Sequence, residues 1–410
     1  MRTRRAHGLL LCATLLACGL AQPAAAQPES VGRSLTLPER PGPHWFWLSD
    51  VALHRTAVFD ADKGQLLGTI SSGTAGVDFV IAPTFSHDHR EIYIPETYFS
   101  RGVRGERTDV VTVYDGRTLA PVAEIPLPPK RAEYFPGNAA NTLSDDGRFL
   151  AVFNLTPMSS LSIVDVRERR FVAEVSTPGC SLVYAAGPRR FFMLCANGQA
   201  LVVSLDEAGQ PTAERTASFF DPQKDPLTEK AVRRGDEWLF VSFEGQIQPV
   251  GVAGPQLTFG ERWSLVDDAD RRDDWRVGGA QHLAIHGPTG RLYALMHRGG
   301  PDTHKTAGQE IWVYDVAAKR RLQRIPVLNP IVSFVAQQGG LAPGGIARWL
   351  LLKALPNPGV DGILVTQDEH PVLLAAGTIP PTVTVHDAMS GAVVNEISEV
   401  GLALSLLYTP

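Results

Sequence analysis

A few groups of side chains in this sequence have the types and spacing to do chemistry. Cys180 and Cys195 could form a disulfide or a reactive thiol pair. His87-Asp88-His89 has the look of a metal pair, and His297, His304 and Lys305 flank the Gly299-Gly300 loop as ligands or bases would. Trp45 and Trp47 are two apart, so on a strand they face one side. None of these completes a catalytic constellation: there is no G-x-S-x-G elbow, no H-E-x-x-H and no glycine-rich loop opening a helix. The expectation is no catalytic, cofactor-binding or metal residue on this chain. His87-Asp88-His89 reads as turn chemistry, the His297–Lys305 run as a structured loop, and the tryptophans as packing.

The cysteines take their meaning from the start of the chain. Arg2, Arg4 and Arg5 precede a short apolar run from Gly8 to Leu20, and Ala24-Ala25-Ala26 offers a cleavage site. Residues 1–26 therefore read as a signal peptide, with Gln27 first in the mature chain. Leu15-Leu16-Ala17-Cys18 loosely resembles a lipoprotein box, the alternative processing route. Cys12 and Cys18 leave with the leader, and Cys180 and Cys195 remain in an exported chain, where pairing is the favoured state. A metal-binding pair is the rival reading, but no histidine or further cysteine lies nearby to complete a ligand set. The leader carries three arginines and no acid, so its loss takes the formal charge from −5 to −8. An acidic chain of this kind is a poor partner for nucleic acid. No run after the leader is long enough to span a membrane as a helix.

The elements that must position these residues are short strands. A β-branched strand ending in Asp recurs as Thr56–Asp60, Val111–Asp115, Leu161–Asp165, Ile311–Asp315 and Thr382–Asp387. Each is followed by a polar turn and another strand. A second element, a polar turn and then a hydrophobic strand, recurs at Ser144–Val152, Pro288–Leu295 and Gln367–Leu374, with weaker copies at Pro188–Leu194 and Arg234–Val241. Asp and Gly suit the backbone of tight turns, and alternating β-branched residues suit packed strands. Together they predict an all-β, seven-bladed β-propeller over residues 27–410, because units spaced roughly 40–60 residues apart must stack around a channel to bury their faces. An atypical insertion interrupts the rhythm at about residues 329–361. Its centre, Ile346–Leu355, has the composition of a short helix ending before Pro356, and either packs as a helical turn in a surface loop or projects toward a partner.

Tyr98-Phe99-Ser100-Arg101-Gly102-Val103-Arg104-Gly105-Glu106-Arg107-Thr108-Asp109-Val110 resembles the large subunit of quinoprotein amine dehydrogenases, the methylamine and aralkylamine type. The likeness continues through Val113-Tyr114-Asp115, Ile125-Pro126-Leu127-Pro128, the Cys180/Cys195 pair, Trp275-Arg276-Val277-Gly278-Gly279, His286, Arg291-Leu292-Tyr293 and Thr303-His304-Lys305-Thr306. It runs from about Val51 to the C-terminus, interrupted at Leu328–Gly362. Pro128-Pro129-Lys130-Arg131 and His297 to Lys305 look nearer the aromatic-amine branch.

The resemblance implies a periplasmic α2β2 assembly in which this oxidoreductase subunit is not itself catalytic. Tryptophan tryptophylquinone would sit on the small subunit, primary amines (aromatic amines or methylamine) would be oxidised to aldehyde and ammonia, and electrons would pass to a cupredoxin such as amicyanin or azurin. The alternatives are a self-contained, lactonase-like propeller hydrolase and a periplasmic propeller for binding or assembly.

Overall fold

The structure is a computed structural model that describes residues 36–71, 82–132, 137–342 and 345–409. The leader-like segment, with Cys12 and Cys18, lies outside the described residues. Seven antiparallel sheets form the blades of a propeller, as the repeats predict. Blade 3 shows the pattern: Asn141–Leu143, Phe149–Asn154, Ser160–Asp165 and Arg170–Ser176 run in order from the axis outward. The ring closes in blade 1, where the C-terminal strand Leu404–Tyr408 supplies the innermost position beside Trp45–Asp50, Arg55–Asp60 and Gln65–Ser71. Trp47 stands opposite Tyr408 and Leu48 opposite Leu407.

The recurrent Asp earns its place through its carboxylate. Asp60, Asp115, Asp165 and Asp206 each accept through Oδ1 from two backbone N–H groups of the turn that follows. Asp315 and Asp387 each accept from one. The side chain thus satisfies donors that the turn leaves without a ladder partner. The inner turns repeat a second device: Ser86, Ser144 and Thr366 donate to Asp88, Asp146 and Asp368 two residues on. His87-Asp88-His89 is one copy of this turn, with His89 in the left-handed region at φ 59°.

Side chains of each strand alternate between the two neighbouring blades. Phe46 and Leu48 pack with Leu374 and Val383 of blade 7, whereas Trp47 packs with Ile92 and Ile94 of blade 2. Tyr93 turns the other way, onto Leu150 and Val152 of blade 3. Apolar clusters of this kind fill every seam around the ring. Burying each such large side chain contributes about 1.5–3 kcal/mol, so the seams hold the ring. Trp45 and Trp47 do face one side, Trp47 lying 5.4 Å from Phe85 between ring centroids.

Among the described residues, three helices interrupt the strands: α1 (Asp268–Arg272), α2 (Pro330–Gln338) and α3 (Ile346–Ala354). α2 starts where Asn329 Oδ1 accepts from Ile331 N and Val332 N, with Pro330 in the first turn. α3 coincides with the helix read from Ile346–Leu355. It buries Arg348 and leaves Ile346, Trp349, Leu350 and Leu352 exposed. Among the described residues, no helix is long and apolar enough to cross a membrane.

Candidate functional site

In a blade whose strands run antiparallel, successive connections leave at opposite ends. Turns between the first and second strands, and between the third and fourth, emerge on one face. Hairpins between the second and third strands, and the blade-to-blade connections, emerge on the other, here called the loop face. Residues 98–110, 125–131, 275–279 and 297–306 and the Cys180/Cys195 pair lie at the loop face, whereas residues 87–89, Asp115, His286 and Arg291 lie at the other, and two pairs of the loop-face stretches meet.

Residues 98–110 form the hairpin between strands Glu91–Phe99 and Arg107–Asp115. Its base is fastened to residues 130–131 through one carboxylate. Arg107 donates from Nε and Nη2 to the two oxygens of Asp109, both at 2.8 Å. Arg131 N donates to Asp109 Oδ2 at 3.0 Å, and the Arg131 guanidinium donates to Thr97 Oγ1. Asp109 is 0% exposed at its side chain, so these donors replace the water it has lost. Glu96, also buried, accepts from Tyr98, Thr112 and Tyr114. Burial and that carboxylate raise the Tyr98 phenol above its ordinary value.

Trp275–Val277 and the 303–306 loop form the second pair. Arg276 Nε donates to Gly299 O at 3.0 Å. Thr303 Oγ1 donates to Gly300 O at 2.7 Å and so receives the Nε2 proton of His297 at 2.8 Å. A side chain at Gly278 would collide with His297 Nδ1 and Thr306 O, which is why a glycine stands there. Burial, reinforced by the Arg276 charge, lowers the His297 pKa, and the ring serves as a neutral strut. His304 lies against Phe243, the ring centroids 3.8 Å apart and the planes tilted by 31°. Residues 297–305 form a loop held by these contacts.

Cys180 and Cys195 are bonded, joining the first two strands of blade 4 at their loop-face end.

A cavity of about 450 Å³ opens along the axis of the ring. Its wall is mostly apolar, from Ala139, Val183, Leu283, Leu364 and Leu406, with Glu229 and Lys230 as its charged pair. Burial pushes the Glu229 carboxyl up, but the Lys230 ammonium beside it outweighs that and holds it below its ordinary value. His282, wholly buried behind this pair, donates from Nδ1 to Gly279 O at 3.3 Å and meets Thr228 Oγ1 at Nε2 at 3.0 Å. Burial first, and the Lys230 charge second, pull its pKa down to about 3. Neither Glu229 nor His282 was singled out from the sequence. Glu229 lies in the connection from blade 4 to blade 5 and His282 in the break between Trp275–Val277 and Leu283–His286 of blade 6, both outside the repeated strand pattern.

The loops of this face are interlocked, with Asp109 and Glu229 paired and His297 and His282 held neutral. The model of the methylamine dehydrogenase heavy chain family matches residues 49–340. The chain belongs to this family. A methylamine dehydrogenase heavy chain from Methylophilus methylotrophus is 25% identical over 424 residues, covering 99% of this chain and 95% of that one. One from Paracoccus versutus is 25% identical over 361 residues, covering 87% and 76%. Solved structures with the same fold include a functionally unknown protein from Desulfotomaculum acetoxidans, at 12% identity and TM-score 0.56, covering 90% of this chain and 99% of that one. Dihydro-heme d1 dehydrogenase matches at 16% identity and TM-score 0.55, covering 95% and 78%. At such identities these structures bear on the fold alone. The heavy chain family match takes in both loop pairs and the disulfide, whereas α3 and blade 7 lie beyond its end at residue 340.

Proposed function

We propose that this chain is the large, non-catalytic subunit of an amine dehydrogenase, and that its loop face docks the small subunit. Family membership across residues 49–340 carries the amine-dehydrogenase reading. The docking face is inferred from the loops built there: the Asp109 knot, the His297–Thr303 strut and the disulfide all stiffen the loop face. Preorganised loops lose little freedom on association, which favours a lasting assembly. The exposed apolar side chains of α3 are a further surface that an added subunit would cover.

In this reading the small subunit holds tryptophan tryptophylquinone and oxidises a primary amine, methylamine or an aromatic amine, to aldehyde and ammonia. Electrons leave to a cupredoxin, the assembly is α2β2, and the setting is the periplasm, as the leader-like residues 1–26 suggest. The quinone would supply the electron sink. Trp275 and Trp312 of this chain are placed for packing. They lie 5.1 Å apart within a core cluster, and Trp312 Nε1 donates to Glu310 at 2.7 Å. The contribution of this chain is to hold its partner, exclude water at the junction and shape the approach of the amine. The hydrolase and binding-protein alternatives draw no support from the family match.

Co-expression with a small-subunit coding sequence tests the proposal. The expected product is a copurifying complex with quinone absorbance that reduces a cupredoxin when amine is added. A chain that stays alone under those conditions would refute the docking role.

A further inference from the structure

The face opposite the loop face carries a histidine that neither the repeats nor the family-like stretches pointed to. His44 precedes the strand Trp45–Asp50 and lies on the seam where the beginning of the chain meets blade 7. Its Nδ1 is 2.7 Å from Asp62 Oδ1, in a turn of blade 1. Its Nε2 is 3.2 Å from Asp368 Oδ2 and 3.0 Å from His370 O, both in a turn of blade 7. Oxygen acceptors therefore meet both ring nitrogens. A neutral imidazole has one N–H and one lone pair, so one of these contacts would set lone pair against lone pair. The imidazolium alone donates on both sides.

The surroundings are arranged to keep that charge. Asp368 is itself held as a carboxylate. Burial pushes it up, but Thr366 Oγ1 at 2.7 Å, His370 N at 3.0 Å and the His44 charge bring it below its ordinary value. Asp62 faces His44 from the other side and is largely solvated, at 59% exposure. Lys63, next to Asp62, donates to Asp60 Oδ2 at 2.8 Å, and Arg40 and Arg90 line the adjoining cavity with Asp368. His286 of blade 6 touches the same turn through the Asp368 carbonyl, at 3.0 Å. Burial of His44 opposes its protonation, and the two carboxylates overcome it, so its pKa lies above 6.5. The seam has a second fastening that does not titrate: Asn395 Nδ2 of blade 7 donates to Ala61 O at 2.8 Å.

We propose that His44 is a proton-operated clasp on the closing seam of the propeller. Protonated, it ties the turn of blade 1 to the turn of blade 7 across 324 residues of sequence. When the proton leaves, one bridge turns repulsive and the seam rests on Asn395 and the apolar cluster. The same turn of blade 7 and residues 39–43 line a cavity of about 670 Å³ on this face, so loosening the clasp also frees one wall of that cavity.

The sign of the effect is fixed by linkage. A histidine whose folded pKa is raised adds stability fully present below its unfolded value of 6.5 and lost as pH rises through the folded value. The test compares the full chain with His44→Gln, whose carboxamide donates from one nitrogen only, accepts at its oxygen and carries no charge. Melting temperature and hydrogen exchange at residues 44–50 and 366–372 would be followed from about pH 5 to about pH 9, a range spanning the histidine titration. The expected result is a melting-temperature gap of several degrees at the acid end that closes at the alkaline end, with faster seam exchange in the variant only at low pH. A gap that is constant or widens with pH would overturn the proposal. Asp62→Asn, at an exposed position, gives a second arm should His44→Gln fold poorly. It should lower the His44 pKa read by NMR, and a wild-type value below 6.5 would also overturn the clasp.

Discussion

Arg348 of α3 donates through Nη2 to Glu396 Oε1 at 2.6 Å, and the two side chains are 7% and 12% exposed. Ser333 of α2 donates to the other oxygen of the same carboxylate. One acid on the outermost strand of blade 7 thus anchors both helices of the insertion. The apolar residues of α3 face outward because its one inward charge is spent on Glu396.

Glu396→Gln should therefore release α2 and α3 from the blade. Removing one partner of a buried ion pair costs about 3–5 kcal/mol. The loss should show as fast hydrogen exchange over residues 330–354, with the strands of blades 2 to 5 unchanged. Uniform loss across all blades would mean the insertion is part of the global fold.

Asp109→Asn leaves the Arg107 fork, Arg131 N and the Thr97 hydroxyl with a weaker, half-matched acceptor. A cost of about 3 kcal/mol is expected for this buried, charge-assisted knot. Chemical denaturation measures it. On the proposed docking role, affinity for the small subunit should fall more than stability does.

Replacing Cys180 and Cys195 together by serine reopens a loop of 15 residues. About 3 kcal/mol should be lost, through greater freedom of the unfolded chain. Thermal unfolding with and without reductant checks this: reductant should lower the midpoint of the parent chain and leave the variant unmoved.

His282 and His44 make opposite predictions about pH. His282 stays neutral in the folded chain because its pKa lies at about 3 against an ordinary 6.5. Below 6.5 the unfolded chain takes up a proton that the folded one refuses, so stability falls with pH from there toward 3. His282→Gln should flatten the acid limb of the stability profile. An unchanged limb would mean that other groups carry it.

The ring was legible from particular residues because its grammar is local. Asp60, Asp115, Asp165, Asp315 and Asp387 each report a turn through a contact two or three residues away. α3 was legible from its composition. α2 was not anticipated, although Asn329-Pro330 is a helix start, because glycine and proline at the ends of the insertion read as loop. The disulfide was read from two cysteines in a chain whose leader-like start predicts export, and it is present. His44, Glu229, Glu396 and His282 were missed for one physical reason. His44, Glu396 and His282 act on partners in another blade or a distant connection, and Glu229 pairs with its neighbour Lys230 in a connection outside the repeated strands; no periodicity in the sequence marks either arrangement.

The central claim, that this chain frames a reaction performed by its partner, is tested most directly by amine turnover with the two subunits assayed apart and together. With a cupredoxin as acceptor, the account predicts no turnover from this chain alone and restored turnover in the assembled complex. Amine oxidation by the isolated chain would contradict it.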